Sequence, residues 1–263
     1  MKIDFYKYEG TGNDFIIIDN RDKKVKAKNA ELWKKLCDRH FGIGADGLML
    51  LQKGKNKYDF EMVYFNADGN ESSMCGNGGR CITHLAKYLE IMKGKSARFT
   101  AIDGEHEAVF AKKNTVKLKM NDVKSIVDHT SFYTLNTGSP HYVTMVKDVM
   151  KIPVNIDGRT IRNKEPFKKE GINVNFVQLS PGKAPILRTY ERGVEDETLS
   201  CGTGTVAAAL VLASKGQATA KNHCDIQTMG GMLRVWFTKQ NQGFTNIWLE
   251  GPATFVFKGK VEV

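Results

Sequence analysis

The sequence predicts an α+β protein of two similar lobes, each a sheet carrying one long helix. Three observations predict it. Alternation of apolar and polar residues dominates the chain, helical spacing follows directly on two glycine-rich turns, and segments of the first half recur in order in the second.

Alternation defines the strands. Tyr58 to Phe65, Thr115 to Met120 and Met232 to Phe237 switch between apolar and polar residues at period two and are rich in aromatic and β-branched side chains, the pattern of half-buried strands. Helical spacing appears over Ala30 to Arg39, at Ile82, Leu85 and Leu89 with Met92 behind them, and over Val206 to Ala213. Only the last two follow glycine-rich turns.

The repeat defines the lobes. Glu71-Ser72-Ser73-Met74-Cys75-Gly76-Asn77-Gly78 recurs as Glu197-Thr198-Leu199-Ser200-Cys201-Gly202-Thr203-Gly204, displaced by 126 positions. The same displacement carries Thr11-Gly12 onto Thr137-Gly138, and a looser echo links Gly42-Ile43 to Gly171-Ile172. Ordered repetition of this kind points to duplication, with the boundary in the polar stretch from Asn121 to Ser125. We therefore expect an N-terminal lobe over residues 1–122 and a C-terminal lobe over 123–252. Residues 253–263, with Phe255, Phe257, Val261 and Val263 alternating, can supply a strand back to the first lobe.

Composition narrows the function classes. With 263 residues, 41% hydrophobic and 26% charged, the chain has material for a substantial core and is not a disordered or fibrous protein. The start, Met1 to Lys7, alternates apolar and charged residues where a signal peptide needs a continuous apolar stretch, so a cytoplasmic location is expected. The longest apolar run, Val206 to Ala213, is far shorter than the roughly 18 residues of a membrane-spanning helix, and no membrane partner is expected. The net charge of +10 comes from lysines scattered over separate polar stretches, without a finger, basic helix or aromatic ribonucleoprotein pattern, so no nucleic-acid partner is expected either. Five cysteines, odd in number and without CxxC spacing, read as free thiols and give no metal site.

The two Cys-Gly-x-Gly turns carry the chemistry. A cysteine just before a helix meets the positive end of the helix dipole and several unpaired backbone N–H groups, which favour thiolate. The glycines let a ligand approach the backbone, and the N–H groups can cradle a carboxylate. A single such turn reads better as strand-ending glycines beside a small buried cysteine; duplication reverses that reading and points to function. Cys37, Cys81 and Cys224 lack this setting and are assigned to packing or surface.

Two similar thiols approaching a small molecule from opposite sides suit inversion at a carbon next to a carboxylate. One thiolate removes the α-proton, the opposite thiol returns one to the other face, and helix N–H groups stabilise the charge that moves into the carboxylate. The pair shares one proton, so its titration belongs to both groups together. Other thiol chemistries fit less well. The six histidines show no local signature of a cysteine hydrolase, and the nearest second thiol to Cys75, Cys81, is six residues on, too far for a usual redox pair.

At these residues the sequence resembles the diaminopimelate epimerases, cofactor-independent isomerases that interconvert LL- and meso-diaminopimelate on the route to lysine and peptidoglycan. The resemblance runs through Gly10-Thr11-Gly12-Asn13-Asp14-Phe15, Gly42-Ile43-Gly44-Ala45-Asp46-Gly47, Phe65-Asn66-Ala67-Asp68-Gly69 and Cys75-Gly76-Asn77-Gly78-Gly79-Arg80-Cys81. It continues through Gly138-Ser139-Pro140-His141, Asn173, Glu191-Arg192-Gly193 and Cys201-Gly202-Thr203-Gly204.

The resemblance implies two pseudo-symmetric lobes, each a mixed, mostly antiparallel sheet wrapped around a central helix, with a cleft between them, in a homodimer. No cofactor, pyridoxal phosphate included, is implied. Cys75 and Cys201 match the catalytic pair. Asn13, Asn66, Gly76, Asn77, Asn173, Glu191, Arg192, Gly202 and Thr203 match the substrate-binding positions. A substrate with two amino-acid ends needs anchors at both. Arg192 can grip a carboxylate bidentately, while Glu191 or the asparagine carbonyls can accept from an ammonium. His141 alone reads as readily as a core imidazole; the resemblance makes it a support residue near the thiols.

Two positions depart from the commoner family pattern. Ser139 stands where Asn-Pro-His is usual, and Gly47 where some relatives carry glutamine. Both shorten a side chain directed at the distal end of the substrate and bear on selectivity. The competing readings are a proline or hydroxyproline racemase of the same fold, which has no distal carboxylate for Arg192 to hold, and a non-enzymatic basic module that binds nucleic acid.

Overall fold

The computed structural model describes residues 1–112 and 114–263. It divides into two compact units, Met1–Leu118 with Gly251–Val263, and Lys119–Glu250.

In the first unit, β1 (Lys2–Gly10), β2 (Asn13–Asp19), β3 (Gly47–Lys53) and β4 (Phe60–Asn66) are followed by β5 (Glu71–Ser72), β6 (Ser96–Ala101), β7 (Gly104–Lys112) and β8 (Thr115–Lys119). The pairing β1–β2 is antiparallel, β2–β3 parallel and β3–β4 antiparallel; β4 then pairs β5 antiparallel and β6 parallel, and β6–β7–β8 is antiparallel. The C-terminal strand Thr254–Glu262 lies antiparallel on β1.

The second unit contains β9 (Val127–Asp128), β10 (Tyr133–Asn136), β11 (Pro140–Met145), β12 (Asn173–Gln178), β13 (Ile186–Glu191), β14 (Asp196–Thr198), β15 (His223–Thr228), β16 (Gly231–Lys239) and β17 (Phe244–Pro252). From β10 to β17 the pairing repeats the plan of β1 to β8 step for step. Short β9 lies antiparallel on β10, as the C-terminal strand lies on β1. Topology thus carries the same repeat as sequence, and the fold is a mixed α/β one.

Each unit holds a 13-residue helix that begins one residue after its cysteine: α2 (Gly76–Tyr88) and α4 (Gly202–Ser214). α4 is apolar all round, and Gly204 through Ala213 are buried on every side, as a central helix requires. α2 buries Asn77 through Thr83, Leu85 and Ala86. Both end in a Schellman motif. The Ile91 N–H bonds the Ala86 carbonyl at 2.9 Å and the Gln217 N–H bonds the Leu212 carbonyl at 2.8 Å. The left-handed residue at this turn is Gly216 after α4 but Glu90, at φ 58°, after α2.

The opposite sheet faces carry their own cores. Trp33 and Leu36 of α1 (Ala30–Cys37) pack with Ile16, Leu48, Leu50 and Phe65 in the first unit. α1 stops earlier than its spacing predicts, because Asp38 adopts an extended conformation. In the second unit Val154 of α3 (Val154–Arg162) packs with Ile172, Val174, Phe176 and Tyr190. The apolar pattern did not predict α3. Its mid-helix Gly158 argues against a helix locally, yet a Cβ there would lie 2.3 Å from Tyr190 Cβ, so the close approach to β13 requires glycine.

Candidate active site

The first unit brings Cys75, Asn13 and Asn77 together. Cys75 is the N-cap of α2, in an extended conformation, and its carbonyl accepts from the Gly79 N–H at 2.7 Å. Its thiol donates to Asn13 Oδ1 at 3.5 Å, and Asn77 Nδ2 donates to the same oxygen at 3.2 Å. Asn13 Nδ2 donates to Asp46 Oδ2 at 2.7 Å. A carboxylate only accepts, so this bond fixes which end of the Asn13 amide faces the thiol.

Arg80 performs the same service for Asn77. It is fully buried, and its Nη2 donates to Asn77 Oδ1 at 2.9 Å and to Thr11 Oγ1 at 3.4 Å; Nη1 donates to Gly76 O at 3.2 Å and Nε to Pro252 O at 3.3 Å. One guanidinium therefore ties the first turn of α2 to the Thr11 turn. Asp46 is itself held by Arg39, which bridges it to Asp14. The hydrogen bonds of Arg39 and of the buried Lys7 hold the Asp14 carboxyl at about 2, well below the usual carboxylate range and against the opposing effect of its burial.

Asn66 stands exposed at the end of β4, opposite Gly47. A Cβ on Gly47 would lie 2.6 Å from Tyr64 Cε2, so the tyrosine ring fills the space a longer side chain would need at this departure from the family pattern.

The second unit assembles two clusters. Cys201, buried, is the N-cap of α4; its carbonyl accepts from the Thr205 N–H at 2.9 Å, and its sulfur lies 3.6 Å from Thr203 Oγ1. Glu191 hydrogen-bonds the Cys201 thiol and accepts from Thr198 Oγ1 at 2.9 Å. Burial pushes the Glu191 carboxyl up, against these two bonds. Thr137 Oγ1 donates to Thr203 O at 3.1 Å, whereas Thr11 at the matching turn accepts from Arg80 of α2.

The second cluster joins Asn173, Arg192 and Ser139. Asn173 Nδ2 donates to Ser139 Oγ at 2.8 Å, its Oδ1 accepts from the Arg192 N–H at 2.9 Å, and Arg192 Nη2 reaches Ser139 Oγ at 3.3 Å. Arg192 is exposed, with its guanidinium braced by Glu170 O at 3.0 Å. Beside it His141 is fully buried; desolvation, aided by the Arg192 charge, drives its pKa down to about 3, so the ring is neutral.

Cys37, Cys81 and Cys224 are buried. Burial pushes the Cys37 thiol up to about 12 and raises those of Cys81 and Cys224 as well. These thiols stay protonated. Among the described residues no group of three or more His, Cys, Asp or Glu is placed to hold a metal ion. Among the described residues no helix is long and apolar enough to cross a membrane.

Comparison with known proteins gives a consistent picture. The diaminopimelate epimerase family model matches residues 5–126 and 133–256. The chain belongs to the diaminopimelate epimerase family. A diaminopimelate epimerase of Flavobacterium psychrophilum is 50% identical over 96% of this chain and 98% of its own, and one of Chlorobaculum tepidum 40% identical over the same shares. Among solved structures, a phenazine biosynthesis protein of Bacillus anthracis superposes with a TM-score of 0.75 at 14% identity, covering both chains completely. A hydroxyproline epimerase of Agrobacterium vitis superposes with 0.66 at 13% identity, over 99% of this chain and 92% of that one. These likenesses carry the fold, and family membership makes the chain an isomerase of the epimerase type.

The sequence motifs did not single out Asp46, Arg80, Thr198 or Asn175 as functional. Asp46 and Arg80 lie inside the family motifs and Thr198 inside the repeated segment, while Asn175 lies two residues after Asn173 on the same strand. Only the tertiary hydrogen bonds separate them from ordinary surface or core polar residues.

Proposed function

We propose that the protein interconverts LL- and meso-diaminopimelate without a cofactor, using Cys75 and Cys201 as alternating base and acid. The observation that carries this reading is that each of two topologically identical units starts its buried helix with a cysteine at the N-cap. The reaction requires one thiol on each face of the α-carbon. The ionised thiol takes the α-proton, leaving its electron pair delocalised into the carboxylate, and the other thiol delivers its proton to the opposite face. The N–H groups at Gly76, Asn77, Gly202 and Thr203 then meet the growing negative charge of the carboxylate. Asn13, Asn66, Asn173, Glu191 and Arg192 hold the ammonium and carboxylate groups, with Arg192 on the distal carboxylate.

The protein acts in the cytoplasm as a homodimer on this reading. Exposed apolar groups of the first unit, Tyr88, Val256 and Phe257 at 52%, 51% and 46% accessible among them, leave apolar surface for self-association. Light scattering should give twice the mass of one chain.

Incubation with LL-diaminopimelate and, separately, with L-proline in deuterated water tests the substrate. Loss of the α-proton signal with the first and its retention with the second is expected. Exchange with proline alone would favour the racemase reading.

A further inference from the structure

We propose that Asn175 is a positioning residue that holds His141 in a single tautomer, with its proton on Nε2, as an N–H donor toward the negative charge formed during proton transfer. The role of that donor rests on the epimerase reading; the placement of the proton rests on hydrogen-bond geometry and on the burial that keeps the ring neutral.

The amide of Asn175 has one possible orientation. It sits on β12, wholly buried, and its Nδ2 lies 2.9 Å from Tyr142 O and 3.3 Å from Asn173 O. Both partners are carbonyls that only accept, so this end must be the NH2 group. Its Oδ1 accepts from Thr189 Oγ1 at 3.0 Å. A flipped amide would set oxygen against two carbonyl oxygens and leave the threonine facing NH2.

The same Nδ2 lies 3.1 Å from His141 Nδ1. Its two hydrogens serve Tyr142 O and, shared with the longer contact to Asn173 O, His141 Nδ1, which therefore presents a lone pair. The ring is neutral, so its one proton sits on Nε2. That nitrogen is buried and has no hydrogen-bond partner among the described residues. A buried N–H left unmet costs about 1–3 kcal/mol, so this hydrogen, which none of those residues accepts, is available to a water or to a negative group brought in with substrate.

The neighbourhood fits such a donor. The position a Gly204 Cβ would take lies 2.4 Å from Asn175 Oδ1 and 3.3 Å from Cys201 Sγ, so only glycine lets the start of α4 rest against Asn175. The amide that orients His141 therefore packs directly beside the reactive turn. Burial keeps the ring from gaining a second proton, and the field of the Arg192 charge adds to that effect.

Nitrogen-15 NMR of the full chain with labelled histidine tests the placement, and His141→Gln assigns the signal. We expect a neutral Nε2–H pattern that does not titrate between about pH 6 and 9, a window in which an ordinary imidazole changes charge. In Asn175→Asp the carboxylate only accepts, so the ring should carry a proton on Nδ1. Its kcat should fall by about 10²-fold, the loss typical of a misplaced donor, with KM within about threefold. His141→Gln, which keeps a side-chain N–H, should retain more activity than His141→Ala. An Nδ1–H or titrating ring in the wild-type protein would overturn the proposal even if Asn175→Asp does not fold, and so would a folded Asn175→Asp with unchanged kcat. Absence of α-proton exchange in the wild-type protein would instead sink the epimerase reading, with the NMR signal still judging the tautomer.

Discussion

Asn13 turns its carbonyl oxygen, not its amide nitrogen, toward the Cys75 thiol at 3.5 Å. The orientation is set twice over, by Asp46 accepting from the amide nitrogen and by Asn77 donating to the oxygen. An acceptor in this place favours the protonated form of Cys75, as the Glu191 carboxylate does for Cys201 in the other unit. Replacing the oxygen's partial charge by a full one should strengthen the bias. Asn13→Asp is expected to move the midpoint of Cys75 alkylation up by about one to three pH units, the size of a carboxylate effect at this distance in a half-buried site. The pH dependence of iodoacetamide labelling in a Cys201→Ala background measures it, and an unchanged midpoint would refute the electrostatic role of Asn13.

Among the described residues Arg80 donates to four neutral acceptors and to no carboxylate. Arg80→Met would leave those acceptors unmet in the interior, each loss costing about 1 kcal/mol or more. We expect a destabilisation of about 2–5 kcal/mol in urea unfolding. Lysine should not restore it, because three donors on one nitrogen cannot reproduce the spread of the guanidinium.

Acid should unfold the first unit through Asp14. Its carboxyl, ordinarily at 3.8, is held at about 2 by Arg39 and Lys7. A depressed carboxyl binds its proton more weakly folded than unfolded, so its stabilisation is complete above the unfolded value and is lost as pH falls from about 4 through 2. The shift corresponds to about 2 kcal/mol. Asp14→Asn should flatten that part of the stability profile measured by denaturant titration; an equally steep acid limb would assign it to other groups.

Glu90 occupies the left-handed position that Gly216 fills at the matching helix end. An L-residue other than glycine is strained there, against a smaller entropic gain in the unfolded chain. Glu90→Gly should raise stability by about 0.5–1 kcal/mol without altering turnover, and a fall in Tm would show that the glutamate makes a compensating contact.

The parts of this protein legible in the sequence are those encoded locally. The Cys75 and Cys201 turns could be read because their residues are adjacent and repeated, and α4 because Val206 to Ala213 is continuously apolar. α3 was hidden by Gly158, whose purpose is contact with Tyr190 across the unit's interior. Arg80 and Asn175 were hidden for a related reason. A buried polar side chain declares its role through its partners, and those partners, Thr11 and Asn77 for one, Thr189 and Tyr142 for the other, are fixed only once the strands have paired.

Ser139 ties the departure from the family pattern to the binding cluster. Its hydroxyl accepts from Asn173 at 2.8 Å and from Arg192 at 3.3 Å, so it braces two proposed anchors that also bond one another. None of these groups is asked to move a proton. Ser139→Ala removes an acceptor from two donors, worth about 1–2 kcal/mol, which converts to roughly a 5- to 30-fold rise in KM for diaminopimelate with kcat changed little. Ser139→Asn keeps an acceptor and adds a donor, and should hold KM closer to that of the wild-type protein. Steady-state rates of epimerisation separate the outcomes: a fall in kcat with KM unchanged in Ser139→Ala would mean that this hydroxyl serves the proton-transfer step and not the distal anchor.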